Sequence, residues 1–209
     1  MVKVKICGIT NLEDAQLAVN LGADALGFNF CKKSLRYIEP SKAKLIIEEL
    51  PPLVSTVGVF ADEFSPERIS SIAHAVGLNA VQLHGSESPE YVRKVDELRV
   101  IKAFRVDTHF DLTLLSLYSA GAYLLDAFDP ERIGGTGRVF DWEIAVAAKS
   151  YGRIILAGGL TQENIVDAIS RVRPYAVDIC SGVESEPGKK DPQKMTALFN
   201  QVHQFRYDS

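Results

Sequence analysis

Short apolar runs alternate with longer amphipathic stretches along the whole chain, and this pattern predicts the secondary structure. Eight of the apolar runs are rich in Val, Ile, Leu or Phe, and each ends at a turn residue or a polar cluster, as buried strands do. The predicted strands cover residues 2–7, 24–30, 54–60, 79–84, 99–104, 122–126, 153–157 and 176–180.

The stretches between these runs have the features of helices. Asn11 is predicted to cap a helix that starts at Leu12 and stops at Gly22, because asparagine accepts bonds from free amides and glycine ends helices. Further helices are predicted between Ser41 and Pro51, from Ser65 to Gly77, from Thr161 onward, from Asp191 onward, and around residues 110–119 and 142–150.

Eight strand–helix units in succession require parallel strands, because each crossover must return the chain to the same edge of the sheet. Two architectures accept this order: an open doubly wound sheet and a closed barrel. No GxGxxG motif follows the first strand, and the units number eight. The sequence therefore predicts an α/β fold, a single-domain (β/α)8 TIM barrel over residues 1–209, since no Pro-, Gly- or Ser-rich linker divides it.

Composition narrows the function classes. The 209 residues are 46% hydrophobic, which suits one substantial core, and the net charge of -4 is scattered without a basic stripe, so no nucleic-acid partner is expected. No signal-peptide run opens the chain, and no segment approaches the roughly 20 apolar residues that span a bilayer, so no membrane partner is expected. Three cysteines without CxxC spacing favour reduced thiols and a cytoplasmic location over disulfides or structural zinc.

Active sites of such barrels form at the carboxyl ends of the strands. The chemically varied residues at these ends are Cys7, Arg36, His84, Asp126, Gly158, Gly159, Ser181 and Gly182. Each has a simpler structural reading: a core thiol, a surface arginine, a histidine bonded to a backbone carbonyl, a helix cap, and glycines in tight turns.

Strand alternation also predicts which side chains point into the barrel, because residues two apart share a face. Lys5 shares the face of Cys7 on the first strand, and Asp178 shares the face of Cys180 on the last. These two strands are neighbours where the barrel closes, and a buried charge without a partner is costly. We therefore expect a Lys5–Asp178 ion pair beneath Cys7, either structural or tuning the thiol.

The whole chain resembles the phosphoribosylanthranilate isomerase family. The segments that carry the resemblance are KICGIT (5–10), GFNF (27–30), SLRYI (34–38), VGVF (57–60), VQLHG (81–85), LD (125–126), GGTG (134–137), FDW (140–142), LAGGL (156–160) and SGVE (181–184) followed by PGKKD (187–191). KICGIT and the closing SGVE–PGKKD pair are the most specific of them. Leu35, Ala157 and Cys180 depart from the usual Pro, Ser and Ser of the family.

The resemblance implies an Amadori rearrangement in tryptophan biosynthesis, from N-(5-phosphoribosyl)anthranilate to 1-(2-carboxyphenylamino)-1-deoxyribulose 5-phosphate. It implies Cys7 as the general base and Asp126 as the general acid. No redox step occurs, so neither a metal nor another cofactor is expected.

The resemblance also implies the residues that bind this phosphorylated substrate. Arg36 is expected at the anthranilate carboxylate, and Gly135 and Gly137 in a flap over the sugar. The phosphate is expected across the loops after the seventh and eighth strands, with a short helix after the eighth. The remaining expected positions are His84, Gly158, Gly159, Asp178, Ser181 and Gly182.

Several alternatives stay open at this level. Other phosphosugar barrels place a lysine or an acidic residue where this chain has Cys7. A silent scaffold barrel would have no need of the intact Cys7, Arg36 and Asp126. A thiol-redox sensor would use the three cysteines on one barrel face, and the chain is expected to be a monomer or a homodimer.

Overall fold

The eight predicted strands close into one parallel barrel in the computed structural model, which describes residues 2–95, 97–127 and 142–208. Each strand pairs with the next along the chain, and the first pairs with the eighth. The strands are β1 (Lys3–Cys7), β2 (Ala25–Asn29), β3 (Ser55–Phe60), β4 (Ala80–Leu83), β5 (Arg99–Val106), β6 (Ala122–Ala127), β7 (Ile154–Ala157) and β8 (Ala176–Ile179). The predicted (β/α)8 barrel is confirmed.

Helices alternate with these strands around the barrel. They are α1 (Leu12–Asn20), α2 (Pro40–Glu48), α3 (Pro66–Val76), α4 (Pro89–Arg93), α5 (Trp142–Ala148), α6 (Ile165–Val172) and α7 (Pro192–Asp208). The Asn11 side chain accepts a hydrogen bond from the Asp14 amide, so the predicted cap of α1 is confirmed. Ser65 caps α3 in the same way, and Gly77 ends it at a positive φ of 83°.

Two predicted helices differ in the structure. The helix predicted to follow Ser41 begins at Pro40, because the fixed φ of proline suits the first helical position and leaves Ser41 inside the first turn. Residues Leu112–Leu117 form a 3₁₀ helix where an ordinary helix was expected. The Asp111 side chain accepts from the Thr113 amide there, and short connections of this kind use the tighter helix.

Side chains divide into an outer and an inner core, as strand alternation predicted. Ile6 and Leu125 are fully buried in the outer core between strands and helices, whereas Leu124 is buried in a small cluster inside the barrel. The other members of this inner cluster are Ala103, Ala122, Ile155, Ala157 and Ala176. Four of the six members are alanines, so the inner cluster is built mainly from small side chains.

The chain after β8 makes an additional feature before the last helix. A 3₁₀ turn over Ser181–Val183 leads into a two-stranded antiparallel hairpin, β9 (Glu184–Glu186) and β10 (Lys189–Lys190). This hairpin brings Glu184 and Lys190 back to the barrel mouth. Within the ranges given above, no helix has the length and apolar character needed to cross a membrane.

Candidate active site

A polar cavity of about 330 Å³ opens at the carboxyl ends of the strands. This size lies within the usual range for sites that hold small molecules. The residues that line it are Cys7, Gly8, Asn29, Ser34, Arg36, Val59, Gln82, His84, Asp126, Ala157, Gly158, Gly159, Leu160, Asp178, Cys180, Ser181 and Gly182. The structure thus brings together every expected site residue except Gly135 and Gly137, which lie outside the described residues.

Cys7 ends β1 and its side chain lies almost buried at the floor of the cavity. Its neighbour on β2 is Gly27, and a Cβ atom at that position would lie only 2.7 Å from the Cys7 sulfur. Glycine at position 27 therefore gives the thiol its place on the inner face of the barrel.

The surroundings of Cys7 favour its thiolate form. The pKa of Cys7 is lowered well below its ordinary value, chiefly by a hydrogen bond from the Cys180 thiol. Burial opposes this change, while the positive charges of Lys5 and Lys190 add to it. The same contact raises the pKa of Cys180, so Cys7 is the more acidic of the two thiols.

The predicted ion pair beneath Cys7 is confirmed. Lys5 Nζ lies 2.9 Å from Asp178 Oδ2, and both side chains are more than 90% buried. Burial alone would lower the pKa of Lys5, but the negative charges of Asp178 and Cys7 outweigh burial and raise it. For Asp178 burial is the larger effect and raises its pKa to about 6, despite the neighbouring lysine. Both groups are thus charged at neutral pH.

Gln82 and His84 connect this ion pair to Asp126 across the barrel. Lys5 Nζ donates to Gln82 Oε1 at 2.9 Å, and Gln82 Nε2 lies 2.8 Å from His84 Nδ1. His84 Nε2 lies 3.3 Å from Asp126 Oδ2. His84 therefore contacts two side chains and not the backbone carbonyl of the simpler structural explanation; its contact with the substrate stays a prediction. The contacts of Gln82 were not predicted from the sequence.

Arg36 is held at the rim of the cavity by a partner that sequence reasoning missed. Its Nε and one terminal nitrogen bond both carboxylate oxygens of Glu184, at 2.6–3.1 Å. The exposed fraction of the side chain is 26% for Arg36 and 4% for Glu184. A fork of this kind fixes the plane of the guanidinium, so Arg36 is not the solvated surface arginine of the simpler reading.

Lys190 is a second residue that sequence reasoning missed. Its ammonium group is fully buried and donates to the Cys7 carbonyl at 2.5 Å and to Glu184 Oε1 at 3.0 Å. It also donates to the Cys180 carbonyl at 3.3 Å. This lysine ties the hairpin to the ends of β1 and β8. The PGKKD segment was the one sequence signal that pointed to it.

The loops after β7 and β8 approach each other closely at glycines. A Cβ atom on Gly182 would lie 1.9 Å from the Leu160 carbonyl oxygen, so only glycine fits there. Gly158 and Gly159 have positive φ angles of 83° and 63°, and the space beside the Cα atom of Gly159 is open. The two loops thus present backbone to the cavity with few side chains in the way.

One cavity at the carboxyl ends of the barrel strands contains a thiol, a carboxyl group and an arginine held by a bidentate ion pair. This arrangement defines an enzyme of the (β/α)8-barrel class. The family model described as N-(5'phosphoribosyl)anthranilate (PRA) isomerase matches residues 4–201. The chain belongs to this family of isomerases.

Individual relatives agree with the family match. The chain is 55% identical to the N-(5'-phosphoribosyl)anthranilate isomerase of Citrifermentans bemidjiense, over 95% of both chains. The crystal structure of phosphoribosyl anthranilate isomerase from Thermotoga maritima is similar with a TM-score of 0.90 and 48% identity, covering 98% of this chain and 100% of that one.

Two further solved structures bear on ligands and assembly. One, with a TM-score of 0.87 and 44% identity over 98% of this chain and all of that one, is a phosphoribosyl anthranilate isomerase in complex with reduced 1-(o-carboxyphenylamino)-1-deoxyribulose 5-phosphate. The other contains monomers generated from the dimeric Thermotoga maritima enzyme, with a TM-score of 0.85 and 43% identity over 97% of this chain and 99% of that one.

Proposed function

We propose that this protein converts N-(5-phosphoribosyl)anthranilate into 1-(2-carboxyphenylamino)-1-deoxyribulose 5-phosphate, an aldose–ketose isomerisation in tryptophan biosynthesis. The observation that carries the proposal is the placement of Cys7 and Asp126 in one cavity, on strands β1 and β6, which β7 and β8 separate in the barrel. A thiolate and a carboxyl group are the base and acid that the two proton transfers of this reaction need.

Asp126 acts first in the proposed mechanism, as the general acid. Its proton passes to the furanose ring oxygen, the bond between C1 and that oxygen breaks, and the open chain is left as a Schiff base. The Asp126 carboxylate that remains lies 3.3 Å from His84 Nε2. The side chain is about one-third exposed, so it reaches the cavity.

Cys7 then acts as the general base. Its thiolate removes the C2 proton of the Schiff base, and the resulting enolamine tautomerises to the ketone. The lowered pKa of Cys7 supports this role, because a free thiol is only a few per cent ionised at pH 7. Lys5 and Lys190 are positively charged neighbours that stabilise the thiolate before the transfer.

Arg36 and Asp178 are proposed to hold the anthranilate part and the sugar. The guanidinium of Arg36 is oriented by Glu184 and borders the cavity, which suits an aromatic carboxylate. Asp178 Oδ1 is buried and, among the described residues, has no hydrogen-bond partner. A buried acceptor of this kind is costly unless a donor reaches it, and a hydroxyl or amine of the substrate is such a donor.

The phosphate is proposed to lie between the loops after β7 and β8. Gly158, Gly159, Ser181 and Gly182 all border the cavity there. Backbone amides without bulky side chains are suited to phosphate oxygens. Gly135 and Gly137 remain proposed for a flap over the sugar.

The proposed chemistry needs no cofactor, because the substrate and the product have the same oxidation level. The whole range 1–209 is proposed to act as one cytoplasmic barrel domain. The chain is proposed to act as a monomer or a homodimer.

The direct test is turnover by the purified protein. Phosphoribosylanthranilate is generated from anthranilate and phosphoribosyl pyrophosphate, and the loss of its fluorescence is followed on addition of the protein. We expect rapid loss with stoichiometric appearance of the ketose product by chromatography. No turnover would contradict the proposal and favour a phosphate-binding scaffold barrel.

A further inference from the structure

We infer that Gln82 is a positioning residue that fixes the tautomer of His84 with its proton on Nε2, so that His84 donates toward Asp126. This inference rests on the proposed function for the role of Asp126. The tautomer itself follows from the contacts of Lys5, Gln82 and His84 alone.

The first step is the orientation of the Gln82 amide. Lys5 Nζ lies 2.9 Å from the oxygen of this amide, and an ammonium group donates hydrogen bonds but accepts none. Only the amide oxygen can therefore face Lys5. Lys5 is itself held by Asp178 at 2.9 Å, and Gln82 is 1% exposed, so neither group has room to exchange its partner for solvent.

The second step is the consequence for the imidazole ring. With its oxygen turned to Lys5, the amide presents its NH₂ group to His84 Nδ1 at 2.8 Å. Two donors cannot share one contact, so Nδ1 must offer a lone pair. A neutral imidazole with an unprotonated Nδ1 has its proton on Nε2.

The third step is what this proton does at Asp126. His84 Nε2 lies 3.3 Å from Asp126 Oδ2, so a proton on Nε2 is next to this carboxyl group. With the opposite tautomer, Nε2 would accept the Asp126 proton in a hydrogen bond and compete with the ring oxygen of the substrate. The Nε2–H form leaves that proton available and stabilises the carboxylate formed when it has been transferred.

Gln82 thus acts through His84 on the group that reacts. The Gln82 side chain, 77 residues after Lys5 in the sequence, hydrogen-bonds Lys5 through its oxygen and the His84 imidazole through its nitrogen. The closed barrel brings Lys5 into contact with Gln82 and places Gln82 and Asp126 in one cavity. The arrangement links the half of the site that holds Cys7 to the half that holds Asp126.

Nitrogen NMR of the histidine side chains tests the inference without substrate. In ¹⁵N-histidine-labelled protein at pH 8, with His84 assigned by loss of its signals in His84→Asn, we expect an unprotonated Nδ1 and a protonated Nε2. In Gln82→Glu the carboxylate replaces the donor with an acceptor, so Nδ1 should gain a proton. The exposed Gln201→Glu is the matched control and should leave the His84 signals unchanged.

Kinetics supply the second readout. We expect Gln82→Glu to lower kcat about 10-fold or more, part of the roughly 10²–10⁴ that a positioned acid contributes, with KM within about threefold of the parent. Gln82→Met, which keeps the length but offers no donor, should give a mixture of tautomers and an intermediate kcat.

A protonated Nδ1 in the parent protein would overturn the inference, as would unchanged His84 signals in both folded Gln82 variants. Because the parent measurement needs no Gln82 variant, poor folding of Gln82→Glu would not remove the test. Full activity of Asp126→Asn would contradict the proposed acid while the NMR result still decided the tautomer.

Discussion

The ammonium of Lys5 and the carboxylate of Asp178 meet at 2.9 Å inside the barrel, where the first and last strands pair in register. Both are almost fully buried, and Cys7 lies two residues beyond Lys5 on the same face. The closure of the barrel thus places a positive charge beneath the thiol while a negative charge compensates it.

Removing the lysine should destabilise the fold. Lys5→Met leaves Asp178 buried without its partner, and we expect a loss of about 3–5 kcal/mol in the free energy of unfolding by urea. Burial already raises the pKa of Asp178 to about 6, so the folded variant gains a proton more readily than the unfolded chain. The deficit should therefore shrink as the pH falls from 8 to 5.

Two controls define that result. Lys3→Met removes an exposed pair with Asp24 and should cost less than about 1 kcal/mol. The double variant Lys5→Met with Asp178→Asn should lose less than Lys5→Met alone, because no buried charge remains. A single-variant loss below about 1 kcal/mol would show that the pair does not stabilise the barrel.

Cys7 and Cys31 should differ in the pH dependence of their alkylation by iodoacetamide. The pKa of Cys7 is lowered, chiefly by the Cys180 hydrogen bond, whereas burial raises the pKa of Cys31 to about 11. We expect Cys7 to react with a midpoint well below pH 9 and Cys31 to react slowly at pH 8, as followed by peptide mass spectrometry.

Variants at Cys180 test the cause of this difference. Cys180→Ala removes the donor and should move both the alkylation midpoint and the acidic limb of the kcat profile to higher pH. Cys180→Ser retains a hydroxyl donor and should move them less. An identical Cys7 midpoint in the parent and in Cys180→Ala would refute the assigned cause.

Arg36 should be intolerant of its conservative replacement. Arg36→Lys keeps the charge but cannot fork onto Glu184 and face the cavity at once. Loss of a charge-assisted hydrogen bond of about 1.5–3 kcal/mol predicts a KM raised by about 10- to 100-fold, measured from initial rates. Arg171→Lys, in an exposed pair with Glu143, is the control and should leave KM unchanged. A KM within twofold of the parent for Arg36→Lys would exclude it from substrate binding.

Gly182 should be the least replaceable of the loop glycines. The Cβ atom of Gly182→Ala would meet the Leu160 carbonyl oxygen at 1.9 Å, so the two loops must separate. We expect a cost of about 1–3 kcal/mol in stability and a clear rise in the inhibition constant of inorganic phosphate. Gly121→Ala meets only the Val100 carbonyl oxygen at 3.4 Å and serves as control. Unchanged phosphate inhibition in Gly182→Ala would argue against the proposed phosphate position.

The alternation of apolar and polar residues predicted both the barrel fold and which side chains of each strand point inward or outward. Ile6 and Leu125 pack outward and Lys5 and Leu124 inward, because a strand has a period of two whatever its neighbours are. The 3₁₀ helix at Leu112–Leu117 was not predicted from the sequence, because over six residues its period differs little from that of an α-helix.

The contacts between side chains within the site could not be predicted from the sequence to the same extent. Arg36 and Glu184 are 148 residues apart, and nothing in their local sequence pairs them. Lys190 follows another lysine, and two adjacent lysines are typical of an exposed surface. The β9–β10 hairpin nevertheless buries the Lys190 side chain completely. Only the closed barrel with its hairpin decides which charges meet.

The central claim, that Cys7 and Asp126 are the base and acid of the isomerisation, is tested most directly by kcat at saturating substrate. Cys7→Ser and Asp126→Asn are measured beside the parent and Cys31→Ser, with folding of each checked by circular dichroism. We expect kcat to fall by about 10²–10⁴ in each of the first two and to stay near the parent value in Cys31→Ser. Parental kcat in either Cys7→Ser or Asp126→Asn would contradict the assignment.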